Sequence, residues 1–422
     1  MRTPVRDYLL EVTDGLADVR DGAVADYIPA LAAADPDRLA LAVTTVGGRA
    51  YSVGDDDLEF SVQSISKPFA YAAALMDRGT EAVDAVVGVE PSGEAFDELS
   101  LERGTHRPRN PMINAGAIAV HGLLDASAPG GRVGRVLDVF SALAGRRLVV
   151  DEEVHASEMA TADRNLALAH MLRTYGLVTA EAHDVVDGYT RQCSVLVTAR
   201  DVAVMGATLA GGGVQPVTGE RVLPAAVARR TLSVMLAAGM YDAAGSWITH
   251  VGIPAKSGVS GGLLGALPGQ AGICSFSPRL DAQGNSVRGV LAFRRLSSDM
   301  GMHLMEAERL GETVLRERRD DDGEVRYALQ GVVDFTGAEH LLHELAREEG
   351  RSPVVLDLSH VDRLTDVGRR MVLEGLRRLR LDGREVALVD DGDVLPDPDP
   401  GDGRLVERRG PAHPLSPRAR PS

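Results

Sequence analysis

Only two lysines occur in this chain of 422 residues, Lys67 and Lys256, although lysine and arginine together number 45. Positive charge is therefore written as arginine nearly everywhere else. A solvent-facing cation can usually be either residue. A group that must release its proton cannot be arginine, because guanidinium stays charged at any working pH, whereas a buried ammonium can lose its proton and become a base. Both lysines sit in short runs with chemical content: Ser64-Ile65-Ser66-Lys67 reads S-x-x-K, and Lys256-Ser257-Gly258 reads K-[ST]-G. Residues i and i+3 share a helix face, so Ser64 and Lys67 would meet, hydroxyl to amine. A serine hydroxyl is a weak nucleophile until a base takes its proton. Neutral Lys67 can be that base if burial and a nearby cation lower its pKa, and Lys256 is a candidate for the cation.

The plainer alternative makes Ser64 a helix cap and Lys67 a surface residue. A serine stands three before a given lysine by chance about one time in fifteen. Two lysines in the whole chain, both in matching motifs and in order, outweigh that chance. These motifs are two of the three signatures of the serine β-lactamase and penicillin-binding fold; the third, S-D-N, is absent. After Lys256 comes Val259-Ser260-Gly261-Gly262, suited to an edge strand that a substrate amide can approach closely. Its N–H groups would supply half of an oxyanion hole, with the Ser64 amide as the other half.

Rival motifs fail on context. Ala255 precedes Lys256 where a phosphate loop needs glycine. Gly258-Val259-Ser260-Gly261-Gly262 matches the G-x-S-x-G string, but no helix follows it directly, so it is a chance match. There is no H-E-x-x-H, C-x-x-C or G-x-G-x-x-G. His340 and His343 read as a solvated helix face, and His170 as an ordinary core or surface histidine. No metal and no organic cofactor is expected.

A net charge of −16 argues against nucleic acid and anionic membrane as partners. No stretch approaches the roughly 20 apolar residues of a membrane span. The N-terminal residues lack the apolar core of a secretory signal, so a cytoplasmic location is expected. Cys193 and Cys274 then read as small buried hydrophobes and not as a disulfide.

The elements that must position this chemistry follow from periodicity. Residues 39–46 read as a buried strand, followed by a turn at Gly47-Gly48 and a second strand near Tyr51-Ser52-Val53. Residues 63–76 read as a helix opened near Ser64. Residues 115–124, 165–172, 202–209 and 226–237 have helical period, and 287–293 read as a late strand. Strands at both ends with helices between predict an α/β mixed sheet closed by its first and last strands, plus a helical subdomain, over residues 1–308. A hydrophilic helix tail, 306–319, leads into a linker, 309–324, ending at Asp320-Asp321-Asp322-Gly323. Strand and helix then alternate (325–329, 336–349, 354–358, 365–381, 386–389), predicting a small α/β domain over 325–395. Residues 396–422 have the composition of a disordered tail.

The run Asn110-Pro111-Met112-Ile113-Asn114-Ala115-Gly116-Ala117-Ile118 resembles the serine-dependent glutaminases. Gln63–Lys67, Pro91-Ser92-Gly93, Arg164-Asn165, Gln192-Cys193-Ser194 and Gly252–Gly262 extend the resemblance, in order, over about residues 24–304. It implies a β-lactamase-like fold and hydrolysis of L-glutamine to L-glutamate and ammonia without a cofactor, in a homodimer or homotetramer. It makes Ser64 the nucleophile and Lys67 its base. Tyr27 matches a tyrosine near the nucleophile, and Tyr241 one suited to relaying a proton. Val259 matches the oxyanion-hole amide, and Asn114, Glu158, Asn165 and Tyr189 match substrate-binding positions. A carboxylate suits the substrate ammonium, and amide or phenol donors suit its carboxylate. Asp97 departs from the family pattern, which has Asn there. The competing expectations are a penicillin-recognising enzyme and a catalytically dead glutamine sensor.

Gly331-Val332-Val333-Asp334-Phe335 and Val354-Val355-Leu356-Asp357-Leu358-Ser359 resemble STAS domains over about residues 325–395. Asp366 falls where phosphorylated members carry serine, which implies docking, ligand sensing or assembly with a partner the sequence does not name. Thr365 is the alternative phosphate acceptor.

Overall fold

The computed structural model describes residues 5–92, 100–306, 314–321, 323–348 and 350–410. Asp97 lies outside them. The chain divides into two compact units, Met1–Glu306 and Ala307–Ser422.

In the first unit, seven strands run β1 Ala40–Thr45, β2 Ala50–Gly54, β3 Phe60–Ser61, β4 Leu196–Val197, β5 Ala255–Ser257, β6 Gly262–Leu267 and β7 Ala271–Phe276. Five form one sheet in the order β2-β1-β7-β6-β5, antiparallel throughout where a mixed sheet was expected. The first strand does lie beside the last, Ala40 opposite Phe276. That last strand is β7, however, and residues 287–293 open a helix. The helices are α1 Val5–Asp14, α2 Pro29–Ala32, α3 Ser66–Asp84, α4 Asn114–Leu123, α5 Gly131–Ala144, α6 Glu152–Met159, α7 Asp163–Thr174, α8 Ala182–Cys193, α9 Ala199–Ala210, α10 Ala225–Ala238, α11 Ala244–His250 and α12 Val287–Met300. Ser286 caps α12 by accepting the Gly289 N–H. Its buried residues, Arg288, Gly289, Ala292, Phe293, Leu296 and Ser297, follow the 3.6-residue period.

The sheet is buried on both faces. Leu41, Val43, Trp247, Ile253 and Phe293 pack together beneath α1 and α12. On the other face α9 lies against β1, β6 and β7. Glycine makes that approach possible. A Cβ on Gly272 would lie 2.0 Å from the Ala207 nitrogen, and one on Gly206 would lie 2.8 Å from the Gly265 carbonyl. Helix α3 is buried at every residue from Ser66 to Leu75, so it runs through the interior with apolar contacts all round.

The second unit holds β8 Leu315–Asp321, β9 Glu324–Val333, α13 Phe335–Ala346, β10 Val354–Leu364, α14 Asp366–Leu381, β11 Val386–Val389 and β12 Glu407–Arg408. Its sheet runs β12-β11-β10-β9-β8, with β8 antiparallel and the rest parallel. Strand β8 occupies the stretch read as helix tail and linker. Asp320 and Asp321 end β8, and Gly323, at φ 85°, stands just before β9. Past residue 395 the chain does not simply fray: Leu395 and Val406 join the core and β12 pairs with β11. Residues 411–422 of the expected tail lie outside the described residues.

The close seat of α9 yields a prediction. Replacing Gly272 with alanine should cost about 3 kcal/mol of stability through forced backbone movement, read by denaturant unfolding. An unchanged midpoint would mean that the helix is not seated as described.

Candidate active site

The S-x-x-K motif lies at a sharp change of backbone direction. Gln63 has a left-handed φ of 50°, unusual for a residue with a side chain. A short 3-10 turn, Gln63–Ile65, then runs into α3, with Ile65 and Ser66 both helical. Ser64 therefore stands at the N-terminal end of a buried helix and Lys67 in its first turn. Lys67 is 1% exposed, and its Nζ donates to Asn114 Oδ1 at 2.7 Å. Burial lowers its pKa to about 8.

Asn114 is the first residue of α4. Its place is set by Asn110, whose Oδ1 accepts the N–H groups of Met112 and Ile113 at 3.0 and 3.2 Å. Gly116 closes the motif, since a Cβ there would lie 1.9 Å from the Asn110 carbonyl oxygen. Asn114 Nδ2 donates to Asn165 Oδ1 at 3.3 Å, and the Tyr189 hydroxyl donates to Asn114 Oδ1 at 3.4 Å. One side chain thus ties Lys67 to two of the expected substrate ligands.

These groups surround a cleft of about 300 Å³ lined by Tyr27, Gln63, Ser64, Asn114, Glu158, Arg164, Asn165, Tyr189, Cys193 and Val259, among others. Glu158, read as solvated on local sequence alone, faces this cleft. Burial pushes its pKa up to about 7, against the opposing pull of a hydrogen bond from Gln63 Nε2 to Glu158 Oε1. Tyr27 stands at the cleft with 55% of its surface exposed, whereas Tyr241 is buried.

The second lysine motif lies on edge strand β5. Lys256 is 0% exposed. Its Nζ donates to the Tyr241 hydroxyl at 2.7 Å and to the Ser257 carbonyl at 2.8 Å, and lies 3.9 Å from the Tyr241 ring centroid. Tyr241 also has a left-handed φ, 56°. Burial pushes its pKa up to about 12, and its interaction with Ser64 pulls the other way. The cation role expected for Lys256 is not what lowers Lys67. Burial lowers Lys67, whereas Lys256 is depressed well below its ordinary value by burial first and the Lys67 charge second. Lys256 is therefore a poor cation.

Beyond β5, the Gly258 N–H donates to Gly262 and the Gly261 N–H to Gly258, at 2.8 and 3.0 Å. The amide of cleft-lining Val259 stays outside these turn bonds. A Cβ on Gly258 would lie 3.1 Å from the Val62 carbonyl, so this turn packs directly on the segment entering the Gln63–Ile65 turn.

Sequence reasoning did not single out Gln63 or Cys193 as site residues. Both adjoin motif residues, but neither side chain announces its role. Cys193 is buried as expected and unpaired with Cys274, yet it lines the cleft. Burial pushes its thiol up to about 12, so it is a poor nucleophile.

Comparison with known proteins decides the family. A family model described as Glutaminase matches residues 22–305. The glutaminase of Corynebacterium efficiens is 54% identical over 409 residues, 95% of each chain. The chain belongs to the glutaminase family. That of Corynebacterium glutamicum is 53% identical, over 96% of this chain and 99% of its own. Among solved structures, one of Mglu superposes with a TM-score of 0.88 at 56% identity, over 94% of this chain and 100% of that one. Another, of Mglu in its glutamate form, gives 0.87 at 51% identity over the same shares. As a glutaminase, the protein hydrolyses L-glutamine to L-glutamate and ammonia, and the enzyme reading prevails over the catalytically dead sensor.

Proposed function

We propose that the glutaminase reaction runs through an acyl-enzyme on Ser64 with Lys67 as its base. The observation that carries this reading is a buried amine, adjoining the serine in sequence and helix, whose hydrogen-bond partner is the neutral amide of Asn114. An amine so placed can shed its proton near neutral pH. Lys67 takes the Ser64 proton while Oγ attacks the side-chain carbonyl carbon of glutamine. The amides of Ser64 and Val259 receive the developing oxyanion. Tyr241 passes a proton to the nitrogen as the C–N bond breaks and ammonia leaves. Water then hydrolyses the γ-glutamyl ester along the same proton path in reverse. Lys256, at 2.7 Å, fixes the Tyr241 hydroxyl.

Glu158 receives the substrate ammonium, and Asn114, Asn165 and Tyr189 receive its carboxylate. A site built of such partners discriminates strongly against analogues that would leave them unpaired. Tyr27, at the cleft mouth, covers the bound substrate. The antiparallel sheet with S-x-x-K on a buried helix and K-S-G on its edge strand supports the β-lactamase-like assignment. A penicillin-type substrate lacks that support, because the S-D-N element is missing.

The second unit is read as STAS-like on its strand–helix alternation. The Thr365 hydroxyl caps α14, accepting the Gly368 N–H at 3.1 Å and donating to the Val333 carbonyl at 3.2 Å. A hydroxyl engaged in this way favours docking or assembly over a phosphate switch. Assembly as a homodimer or homotetramer in the cytoplasm completes the reading.

Ser64→Ala should abolish ammonia release, and Lys67→Arg should reduce kcat by roughly 10²- to 10⁴-fold, because arginine cannot take the proton. A fully active purified Lys67→Arg enzyme would refute the base. The Glu158 assignment sets a pH dependence. Its carboxyl charges only above about pH 7, so KM for glutamine should rise as pH falls below that, by roughly tenfold per unit at the limit. Steady-state kinetics between pH 8 and 5.5, taken as a rough working range for this titration, will show it. A flat KM would remove Glu158 as the ammonium ligand.

A further inference from the structure

Behind the nucleophile turn lies a second polar chain. His121 on α4 is 0% exposed, as is Gln192 on α8. His121 Nδ1 lies 3.0 Å from Gln192 Oε1, and Gln192 Nε2 donates to Ser66 Oγ at 3.1 Å. Ser66 is also fully buried and sits between Ser64 and Lys67. It hydrogen-bonds in turn with the cleft-lining Cys193 thiol. The chain therefore spans α4, α8 and α3 and ends beneath the substrate cleft.

Its polarity follows from hydrogen-bond accounting. His121 Nε2 is buried and has no hydrogen-bond partner among the described residues. It faces Gly188 of α8, where a Cβ would lie 2.3 Å from that nitrogen. A buried orphan N–H is rarer and less tolerable than an under-used acceptor. The proton therefore sits on Nδ1 and donates to Gln192 Oε1. That fixes the Gln192 amide with its nitrogen toward Ser66, and leaves the Ser66 hydroxyl proton for Cys193. Burial pushes His121 down to about 4, in keeping with a neutral ring. Each link has one direction, so the chain holds Ser66 in one rotamer and one position.

We propose that His121 and Gln192 are positioning residues for the nucleophile turn, locking Ser66 so that Ser64 and Lys67 keep their mutual geometry. The proposal rests on the Ser64–Lys67 reading. Displacement of a reacting group by about 1 Å can cost on the order of a hundredfold in rate. The polar chain and the glycine at 188 are two parts of one device: the first pulls the ring to Gln192, and the second leaves it room.

The test uses the full-length enzyme, with ammonia release from glutamine as the readout. His121→Phe keeps a ring but removes the donor. It should lower kcat by about ten- to a hundredfold while KM stays within about twofold, and should shift the ascending limb of the pH–kcat profile. His121→Asn places an amide nitrogen where Nδ1 stood, and should restore most of kcat and the limb. Gly188→Ala lies within a regular helix and favours its backbone, yet drives a methyl into the ring. It should slow kcat in the same way, and His121→Asn added to it should relieve the defect. If His121→Phe fails to fold, Gly188→Ala and its relief carry the test. Parent kcat and pH profile in folded His121→Phe or in Gly188→Ala would overturn the proposal. So would a defect confined to melting temperature or KM. Ser64→Ala run in parallel separates the two readings: residual activity there strikes the nucleophile itself, whereas a dead Ser64→Ala beside unaffected His121 and Gly188 variants strikes only the relay.

Discussion

A charged amine taken out of water without a carboxylate beside it is penalised by several kcal/mol, and the usual response is a lowered pKa. This glutaminase buries two such amines. Lys67 points at a carboxamide oxygen, and Lys256 at a phenol and a backbone carbonyl. Both need a dry, tightly packed surround, and that surround is the rest of the unit. Helix α3 is buried along its first ten residues, from Ser66 to Leu75. Edge strand β5 is buried at all three of its residues. Arginine serves everywhere a permanent charge is useful, and at neither of these two places.

The cleft is assembled from element ends. Ser64 precedes α3, Asn114 begins α4, Glu158 lies in the last turn of α6, Tyr189 and Cys193 lie in the last turns of α8, and Val259 follows β5. Side chains at ends can converge because the backbone there is free to turn. Two of those turns hold non-glycine residues in left-handed conformations, Gln63 and Tyr241. Such conformations cost of order 1–3 kcal/mol each and persist where the surroundings impose them. Here the first sets the direction from which Ser64 enters, and the second brings the Tyr241 hydroxyl onto Lys256.

Much of this was legible in the sequence. The lysine count and its two motifs located the centre, and the family resemblance supplied Asn114, Glu158, Asn165, Tyr189 and Val259, all of which line the cleft. What failed did so for physical reasons. Residues 287–293 look like a strand because seven residues cannot separate a period of 2 from one of 3.6. The full stretch to Met300 shows the helical stripe. Strands β6 and β7 went unread because both their faces are buried and their composition is rich in glycine and alanine, so no alternation remains. The acidic run at 320–323 looked like a linker, although an Asp-Gly pair between two chain segments is also a hairpin signal. Charge coupling was the least legible feature: the sequence could place two lysines in one site, but not decide which one yields to the other.

The lysine count makes the central claim unusually open to measurement. With lysine labelled at Nζ with ¹⁵N and the neighbouring carbon with ¹³C, the full-length enzyme gives NMR signals from only two side chains. The account predicts that both titrate below the ordinary lysine range, Lys67 with a midpoint near 8 and Lys256 likewise well below its ordinary value. A Lys67 signal that stays charged until about pH 10.4, as for an amine in water, would contradict it.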